Sequence, residues 1–380
     1  MRLDVIEVRL LHLPMRGAFR SAHGEVGGRD VVVVRLAGPE GEGWGECAAL
    51  PAPTYSAEFA AGSFVVLRDH LAPRLLDAPE VTAAGAAAAL AGVVGHGMAK
   101  TALELALLDL EERVSGGSLA SRLARAPRHD VPAGAALGLT AHPADAATEA
   151  VELVEAGYGR LKVKIEPGHD IAVLRAVRDA VGPDVVLLAD ANGSYRLDRS
   201  GAAHDASRLG ALDDLALAAI EQPLPAGALG DHARLATELA TPIALDESIS
   251  SPARLHRALE LGACRVVCIK APVIGGWLTA ATALDTCAHR GIDAYVGGML
   301  DAGIGRAATL ALAAHPGATL AGDQSAGRRT FDDDVVEPVE VEGPSGRGHM
   351  PVPRGPGLGV EIDLAAVVRL TTAHASVTAV

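Results

Sequence analysis

Two lysines, Lys162 and Lys164, flank a single valine in the apolar run LKVKI, which is typical of a buried β-strand. Residues two apart in a strand point to the same face, so both ammonium groups should face one place. A neighbouring positive charge and loss of solvent each lower the pKa of a lysine, and such a lysine can accept a proton near neutral pH. The run therefore predicts a lysine base.

Polar residues also close the apolar runs that follow along the chain. They recur 24 to 31 residues apart and are Asp190 with Asn192, Glu221, Asp246 with Glu247, and Lys270. Apolar runs that alternate with helical stretches at this period are typical of parallel strands joined by crossover helices. In a barrel of such units the carboxyl ends of the strands meet at one mouth. We therefore expect these side chains to converge on one site.

Three of these residues, Asp190, Glu221 and Asp246, are carboxylates from successive strands. Hard oxygen ligands with no histidine or cysteine nearby favour Mg²⁺, or Mn²⁺, over zinc. A divalent cation on a substrate carboxylate stabilises the negative charge that develops when the α-proton is removed. Lys270 should stand across the mouth from Lys164, where it can act as an acid, a second base or an electrostatic stabiliser.

The rest of the chain predicts the scaffold that positions these groups. Residues 1 to about 50 form β-rich runs such as VIEVRLLHL, and residues 58 to about 125 are Ala- and Leu-rich with helical spacing. Alternation of strands and helices begins near Val131 and favours a (β/α) barrel, and no G-x-G-x-x-G follows its first strand. We expect an α+β capping domain over 1–128, a barrel over 129–330, and a segment over 331–380 that returns to the cap.

Composition excludes several classes of function. The formal net charge of −14 argues against nucleic acid as the main partner, because phosphate binding needs a basic face. No uncharged apolar run approaches the length of a membrane span, and the N-terminus does not have the pattern of a signal peptide. The four cysteines predict buried structural thiols, and ACRVVCIK predicts a buried strand. We expect a cytoplasmic protein that acts on a small molecule.

The series KVK, LADAN, IEQPL, LDES and IK resembles the enolase superfamily, in its muconate-lactonizing subgroup, over nearly the whole chain. The resemblance implies a (β/α)7β modified TIM barrel under an α+β cap. It implies Mg²⁺ bound by Asp190, Glu221 and Asp246, with Lys164 and Lys270 as the acid–base pair. It further implies that Lys162 lowers the pKa of Lys164 and that Asn192 and Glu247 support the site. Members of this superfamily are often homo-oligomers.

Three longer segments, FRSAHG, GWGECAALPAPTYSAE and GGMLDAGIGRAATLALAAHPGATLAGD, are similar to the branch of o-succinylbenzoate synthases and N-acylamino acid racemases. This similarity implies that the substrate contacts are Phe19, Ser21, His23, Tyr55, Gly298, Met299 and Asp301. Asp301 stands where the branch usually has Glu, and IKAPVIGG replaces IKPGRVGG. His23 stands where an aromatic is common, and it can either contact substrate or face solvent. These departures leave the substrate open.

The resemblance favours a Mg²⁺-dependent lyase of the o-succinylbenzoate synthase type, which removes the proton α to a carboxylate and expels a β-hydroxyl as water. An N-acylamino acid racemase, or another racemase, epimerase or cycloisomerase of the superfamily, is the alternative, and acid-sugar or dipeptide substrates also stay open. A barrel that only binds a ligand would not need all three carboxylates and both lysines. A Schiff-base aldolase uses a barrel lysine without the carboxylates.

Overall fold

The computed structural model describes residues 1–22, 24–197 and 204–379, and His23 lies outside them. The strands are β1 (Val5–Ser21), β2 (Gly24–Gly38), β3 (Gly41–Cys47), β4 (Asp130–Pro132), β5 (Gly134–Leu137), β6 (Arg160–Lys164), β7 (Val186–Asp190), β8 (Ala219–Glu221), β9 (Ile243–Leu245), β10 (Val266–Ile269), β11 (Asp293–Val296), β12 (His349–Pro351) and β13 (Thr371–Thr378). The helices are α1 (Ala60–Val66), α2 (Ala72–Leu76), α3 (Ala83–Ala89), α4 (Gly97–Ser115), α5 (Leu119–Leu123), α6 (Pro143–Glu155), α7 (Ile171–Val181), α8 (His204–Gly210), α9 (Leu229–Glu238), α10 (Pro252–Glu260), α11 (Ala271–Ile274), α12 (Trp277–His289), α13 (Gly303–Ala313) and α14 (Leu364–Leu370).

The first part of the chain forms a four-stranded antiparallel sheet in the order β13-β1-β2-β3. Ile6 and Val8 are buried, and beyond a register shift between Leu10 and Leu11 the buried positions become Leu11 and Leu13. The extra residue is on β13, where Thr372 is skipped, and the pairing of β1 with β2 runs without a shift through these positions. Because side chains alternate along a strand, the buried residues of β1 change from one face of the sheet to the other along its length.

Helix α4 packs on β3, and two glycines of the GWGE motif permit the contact. A Cβ atom on Gly43 would lie 2.1 Å from the Ala106 carbonyl oxygen, and one on Gly45 would lie 2.0 Å from that of Ala102. Both distances are far shorter than a van der Waals contact, so only glycine lets the helix backbone come this close. The motif therefore fixes the distance between helix and sheet in the cap.

The second part is a curled parallel sheet of seven strands, ordered β11-β10-β9-β8-β7-β6-β5. The segment 320–324 lies between its two edges: the Leu320 and Asp323 amides donate to β11, and the Gln324 carbonyl accepts from the Gly134 amide of β5. The segment occupies the eighth position of the barrel without forming a regular strand. This architecture confirms the predicted modified TIM barrel with an α+β cap.

The end of the chain returns to the cap, where β13 pairs with β1 in the register Val5 to Thr378. The division into 1–128, 129–330 and 331–380 stays a proposal. All four cysteines are buried and unpaired. Among the described residues, none of the helices has the length and apolar character needed to cross a bilayer.

Candidate active site

The two lysines of LKVKI reach the same carboxylate at the carboxyl end of the barrel. Lys164 Nζ lies 2.6 Å from Asp190 Oδ2, and Lys162 Nζ lies 3.3 Å from the same oxygen. Strand register produces this contact, because Lys164 of β6 pairs directly with Asp190 of β7. Burial alone would raise the pKa of Asp190, but Lys164 and Lys162 hold it well below its usual range.

Glu221, which pairs with Asp190 across the next strand, is fully buried. Lys162 Nζ lies 3.1 Å away, and the Tyr295 hydroxyl donates to the other side of the carboxylate. Burial, together with repulsion from Asp190, raises the pKa of Glu221 to about 8. Burial is the larger cause, so the raised pKa shows mainly that this carboxylate is shielded from water.

Lys270 faces this group from the other side of the barrel. It lies on the end of β10, four positions around an eight-position ring from β6. Its Nζ is 2.7 Å from Asp246 Oδ2 and 4.8 Å above the centre of the Tyr55 ring. Burial would lower the pKa of Lys270, but Asp246 raises it well above its usual value. The two lysines thus approach the mouth from opposite walls.

A chain of hydrogen bonds through Asn192 to Glu247 positions the Lys164 side chain. Lys164 Nζ donates to Asn192 Oδ1 at 2.7 Å, and Asn192 Nδ2 donates to Glu247 Oε1 at 2.8 Å. Asn192 has a φ of 42°, and its own amide donates to Asp190 Oδ1 at 3.1 Å. Asparagine tolerates this left-handed conformation better than most residues. The LADAN motif thus fixes both the carboxylate and the amide beside Lys164.

Sequence reasoning missed three residues behind Lys162. Asp323 accepts a hydrogen bond from Lys162 at 2.7 Å and forms an ion pair with Arg160. The Arg160 guanidinium in turn lies 5.0 Å from the centre of the Tyr295 ring. Burial would lower the pKa of Lys162, but Asp323 with the other carboxylates raises it well above its usual value. Asp323 closes the run ATLAGD, so the rule used for the earlier runs would have found it.

The predicted substrate contacts line one cavity of about 860 Å³ between cap and barrel. Its walls include all the predicted contacts that the structure describes, and also Lys162, Lys164, Asn192 and Lys270. Those contacts are Phe19, Ser21, Tyr55, Gly298, Met299 and Asp301. Asp190, Glu221 and Asp246 are almost completely buried. The structure thus brings the predicted groups together, with the three carboxylates more deeply placed than the lysines.

Asp301 and Arg306 stabilise the loops at the rim of the cavity. The Asp301 carboxylate accepts a hydrogen bond from the Met299 amide at 3.1 Å. Arg306 donates to the Asp301 carbonyl at 3.0 Å and to the Ser325 carbonyl at 2.6 Å. In the cap, Arg29 donates to the Leu300 carbonyl at 3.1 Å. The cap and two barrel loops are therefore linked at residues that line the cavity.

The carboxylate group fits a divalent cation by the chemistry of its donors. Asp190, Glu221 and Asp246 offer buried oxygen atoms from three adjacent strands. Such oxygens suit hard cations. The expectation that no cysteine lies nearby is wrong, because Cys268 Sγ and carboxylate oxygens of Glu221 and Asp246 all lie within 4.8 Å of one another.

A capped barrel with buried carboxylates on successive strands and lysines on opposite walls defines an enzyme of metal-assisted proton transfer. Comparisons with known proteins agree. Residues 145–366 match the enolase C-terminal domain-like family, and residues 5–123 match the N-terminal domain of mandelate racemase and muconate lactonizing enzyme. The chain belongs to the enolase superfamily, as the sequence motifs predicted.

Two curated relatives indicate where the chain lies within the superfamily. The chain is 43% identical to an N-succinylamino acid racemase of Amycolatopsis sp, over 95% of both chains. It is 38% identical to the o-succinylbenzoate synthase of Geobacillus stearothermophilus, over 97% of this chain and 96% of the other. A solved enolase-superfamily member from Listeria innocua superposes with a TM-score of 0.91 at 32% identity, over 100% of both chains. The chain is thus a metal-dependent enzyme, a lyase or a racemase.

Proposed function

We propose that this protein removes the proton α to the carboxylate of a small substrate and expels a β-hydroxyl, as an o-succinylbenzoate synthase does. The observation that carries the proposal is the use of lysine in this chain. It has 4 lysines against 29 arginines, and three of the four, Lys162, Lys164 and Lys270, lie at this site. Arginine does not lose its proton in proteins, whereas lysine can. The three lysines at this site are therefore groups that can transfer a proton, as arginines could not.

Asp190, Glu221 and Asp246 would hold the divalent cation, for which we propose Mg²⁺, with Mn²⁺ as a substitute. When bound, the ion supplies positive charge that stabilises the developing charge on the substrate carboxylate. The support for this assignment is the set of buried oxygen donors from adjacent strands. Chelation should therefore abolish turnover, and Mg²⁺ should restore it.

Lys164 is the proposed base. Asn192 Oδ1 accepts one of its N–H bonds and so orients the amine, and Lys162 contacts the same Asp190 oxygen as Lys164 does. After Lys164 takes the α-proton, it returns that proton to the departing β-hydroxyl, which leaves as water. Lys270 keeps its charge on the opposite wall and stabilises the carbanion.

Racemisation of N-acylamino acids is the second candidate, and the placement of Lys164 and Lys270 on opposite walls favours it. One lysine would remove the α-proton from one face, and the other would deliver a proton to the other face. The 43% identical relative carries the name of such a racemase. Incubation in deuterium oxide separates the two reactions, because racemisation introduces deuterium at the α-carbon of either enantiomer and dehydration need not.

The test is a screen of the o-succinylbenzoate synthase substrate against N-succinylamino acids, with Mg²⁺ or with a chelator. Lys164→Arg should lower kcat by about 10²–10⁴-fold, because it keeps a positive charge but removes the base. Lys100→Arg is the matched control, since the fourth lysine donates to the Val93 carbonyl outside the site. Unchanged turnover in Lys164→Arg would refute the proposed base.

We further propose a cytoplasmic homo-oligomer. The reduced state of four buried cysteines suits a reducing compartment. Size-exclusion chromatography with light scattering would give the oligomeric state, and a monomeric mass would refute that part of the proposal.

A further inference from the structure

Cys268 lies inside the barrel next to the carboxylates. Cys268 stands two residues before Lys270, so the two side chains point to the same interior of the barrel. Because Val267 of β10 pairs with Leu245 of β9, Cys268 lies level with Asp246. Its Sγ and oxygens of Glu221 and Asp246 lie within 4.8 Å of one another. All three side chains are at most 2% exposed.

The surroundings of this thiol differ from those of an ordinary core cysteine. In the part of the chain that the structure describes, no hydrogen bond joins the Cys268 thiol, and carboxylate oxygens of Glu221 and Asp246 lie beside it. Opposite Cys268, a Cβ atom on Gly297 would lie 2.5 Å from Sγ, so glycine there leaves the sulfur its space. The thiol is thus an unpartnered, buried group directed at two carboxylates.

One thiolate and two carboxylates make a different ligand set from three carboxylates. Magnesium selects oxygen ligands and avoids sulfur, whereas Zn²⁺, Co²⁺ and related ions bind thiolate and carboxylate together. Three protein ligands plus water complete a tetrahedral zinc site. The two sets share Glu221 and Asp246 and differ in the third ligand, which is Asp190 in one and Cys268 in the other.

We propose that Glu221, Asp246 and Cys268 form a site for a thiophilic divalent cation such as Zn²⁺, which excludes the hard cation from the shared carboxylates. When the ion binds, a sulfur–metal bond replaces the S–H bond, and the proton passes to the buffer. No change of oxidation state is involved. The exclusion of Mg²⁺ rests on the proposed function, but the existence of the cysteine-containing site does not.

Cobalt(II) titration of the metal-free protein tests the site without any measurement of turnover. We expect a near-ultraviolet thiolate-to-cobalt charge-transfer band that saturates at one ion per chain and that Zn²⁺ removes. Cys268→Ser should lose the band, and Cys287→Ser, which alters a buried cysteine of helix α12, should keep it. Asp190→Asn should also keep the band while it loses Mg²⁺-dependent activity. A band that survives in Cys268→Ser, or that the wild-type protein lacks, would overturn the proposal.

X-ray absorption of the zinc-loaded wild-type protein gives an answer that does not depend on the folding of a variant. One sulfur neighbour at about 2.3 Å is expected in the first coordination shell of the zinc. A shell made only of oxygen and nitrogen atoms would overturn the proposal. Failure of the Mg²⁺ assignment alone would leave both the band and the sulfur neighbour in place, so the two proposals can fail separately.

Discussion

Replacement of Asp323 by asparagine should destabilise the fold strongly, because this carboxylate balances two buried cations. Arg160 is fully buried, Asp323 is its ion-pair partner, and Lys162 Nζ lies 2.7 Å from the same carboxylate. Lys162 keeps Glu221 and Asp190 as further partners in Asp323→Asn. Arg160 therefore loses more of the negative charge that compensates it than Lys162 does.

Removal of one partner of a buried pair costs about 3–5 kcal/mol, since the other charge stays buried without compensation. Asp332→Asn is the matched control: Asp332 pairs with Arg16 at 2.6 Å, but the two side chains are 64% and 51% exposed. A pair of this kind contributes about 0–1 kcal/mol. Both substitutions replace a carboxylate by an amide, but the ion pair of Asp323 is buried and that of Asp332 is exposed.

Urea unfolding followed by circular dichroism measures both variants against the wild-type protein under identical salt. The midpoint should fall clearly for Asp323→Asn and hardly move for Asp332→Asn. Addition of salt should leave the gap between the two variants nearly unchanged, because buried pairs are screened little. Equal midpoints for the two variants would refute the argument that Asp323 neutralises buried charge.

Two further outcomes follow from the geometry. Gly297→Ala should reduce kcat more than Gly298→Ala. A Cβ atom on residue 297 would lie 2.9 Å from Lys270 Cε, whereas one on residue 298 would lie 3.4 Å from an Asp301 carboxylate oxygen. Steady-state kinetics of the two variants checks this order. Burial lowers the pKa of His232 to about 4 from 6.5. As the pH falls, the imidazole is therefore protonated in the unfolded chain before it is protonated in the folded protein, and the free energy of unfolding decreases between pH 6.5 and pH 4. The loss approaches about 3 kcal/mol below pH 4, and His232→Gln should flatten that part of the stability–pH curve.

The barrel was predictable because it repeats itself, and the family was predicted by the resemblance of the motifs KVK, LADAN, IEQPL, LDES and IK. Each apolar run ended in a polar residue at nearly constant spacing, and parallel strands carry such residues to one mouth whatever their side chains are. The register of Lys164, Asp190 and Glu221 across β6, β7 and β8 follows directly from this repetition. Local sequence was therefore enough to predict which residues meet.

The partners of the charged groups were not predictable in the same way. Asp323 closes an apolar run as the other residues do, but its segment joins both barrel edges without regular strand pairing, and its contact with Lys162 spans 161 residues of sequence. The expectation for Lys162 named only its effect on Lys164, whereas the structure also gives it three carboxylate partners. Cys268 was predicted as a structural thiol because local sequence does not show which carboxylates stand beside a strand. Such charge balance depends on three-dimensional placement.

The pairing of β13 with β1 has a consequence for synthesis of the protein. Strand β1 is made long before its partner over Thr371–Thr378, because the whole barrel lies between them in the sequence. At 5–20 residues per second, roughly 20–70 s separate the two on the ribosome. Throughout that interval one edge of β1 has no strand to bind, and exposed edges attract other chains. Chaperone dependence of this protein should therefore be concentrated in the period before β13 emerges.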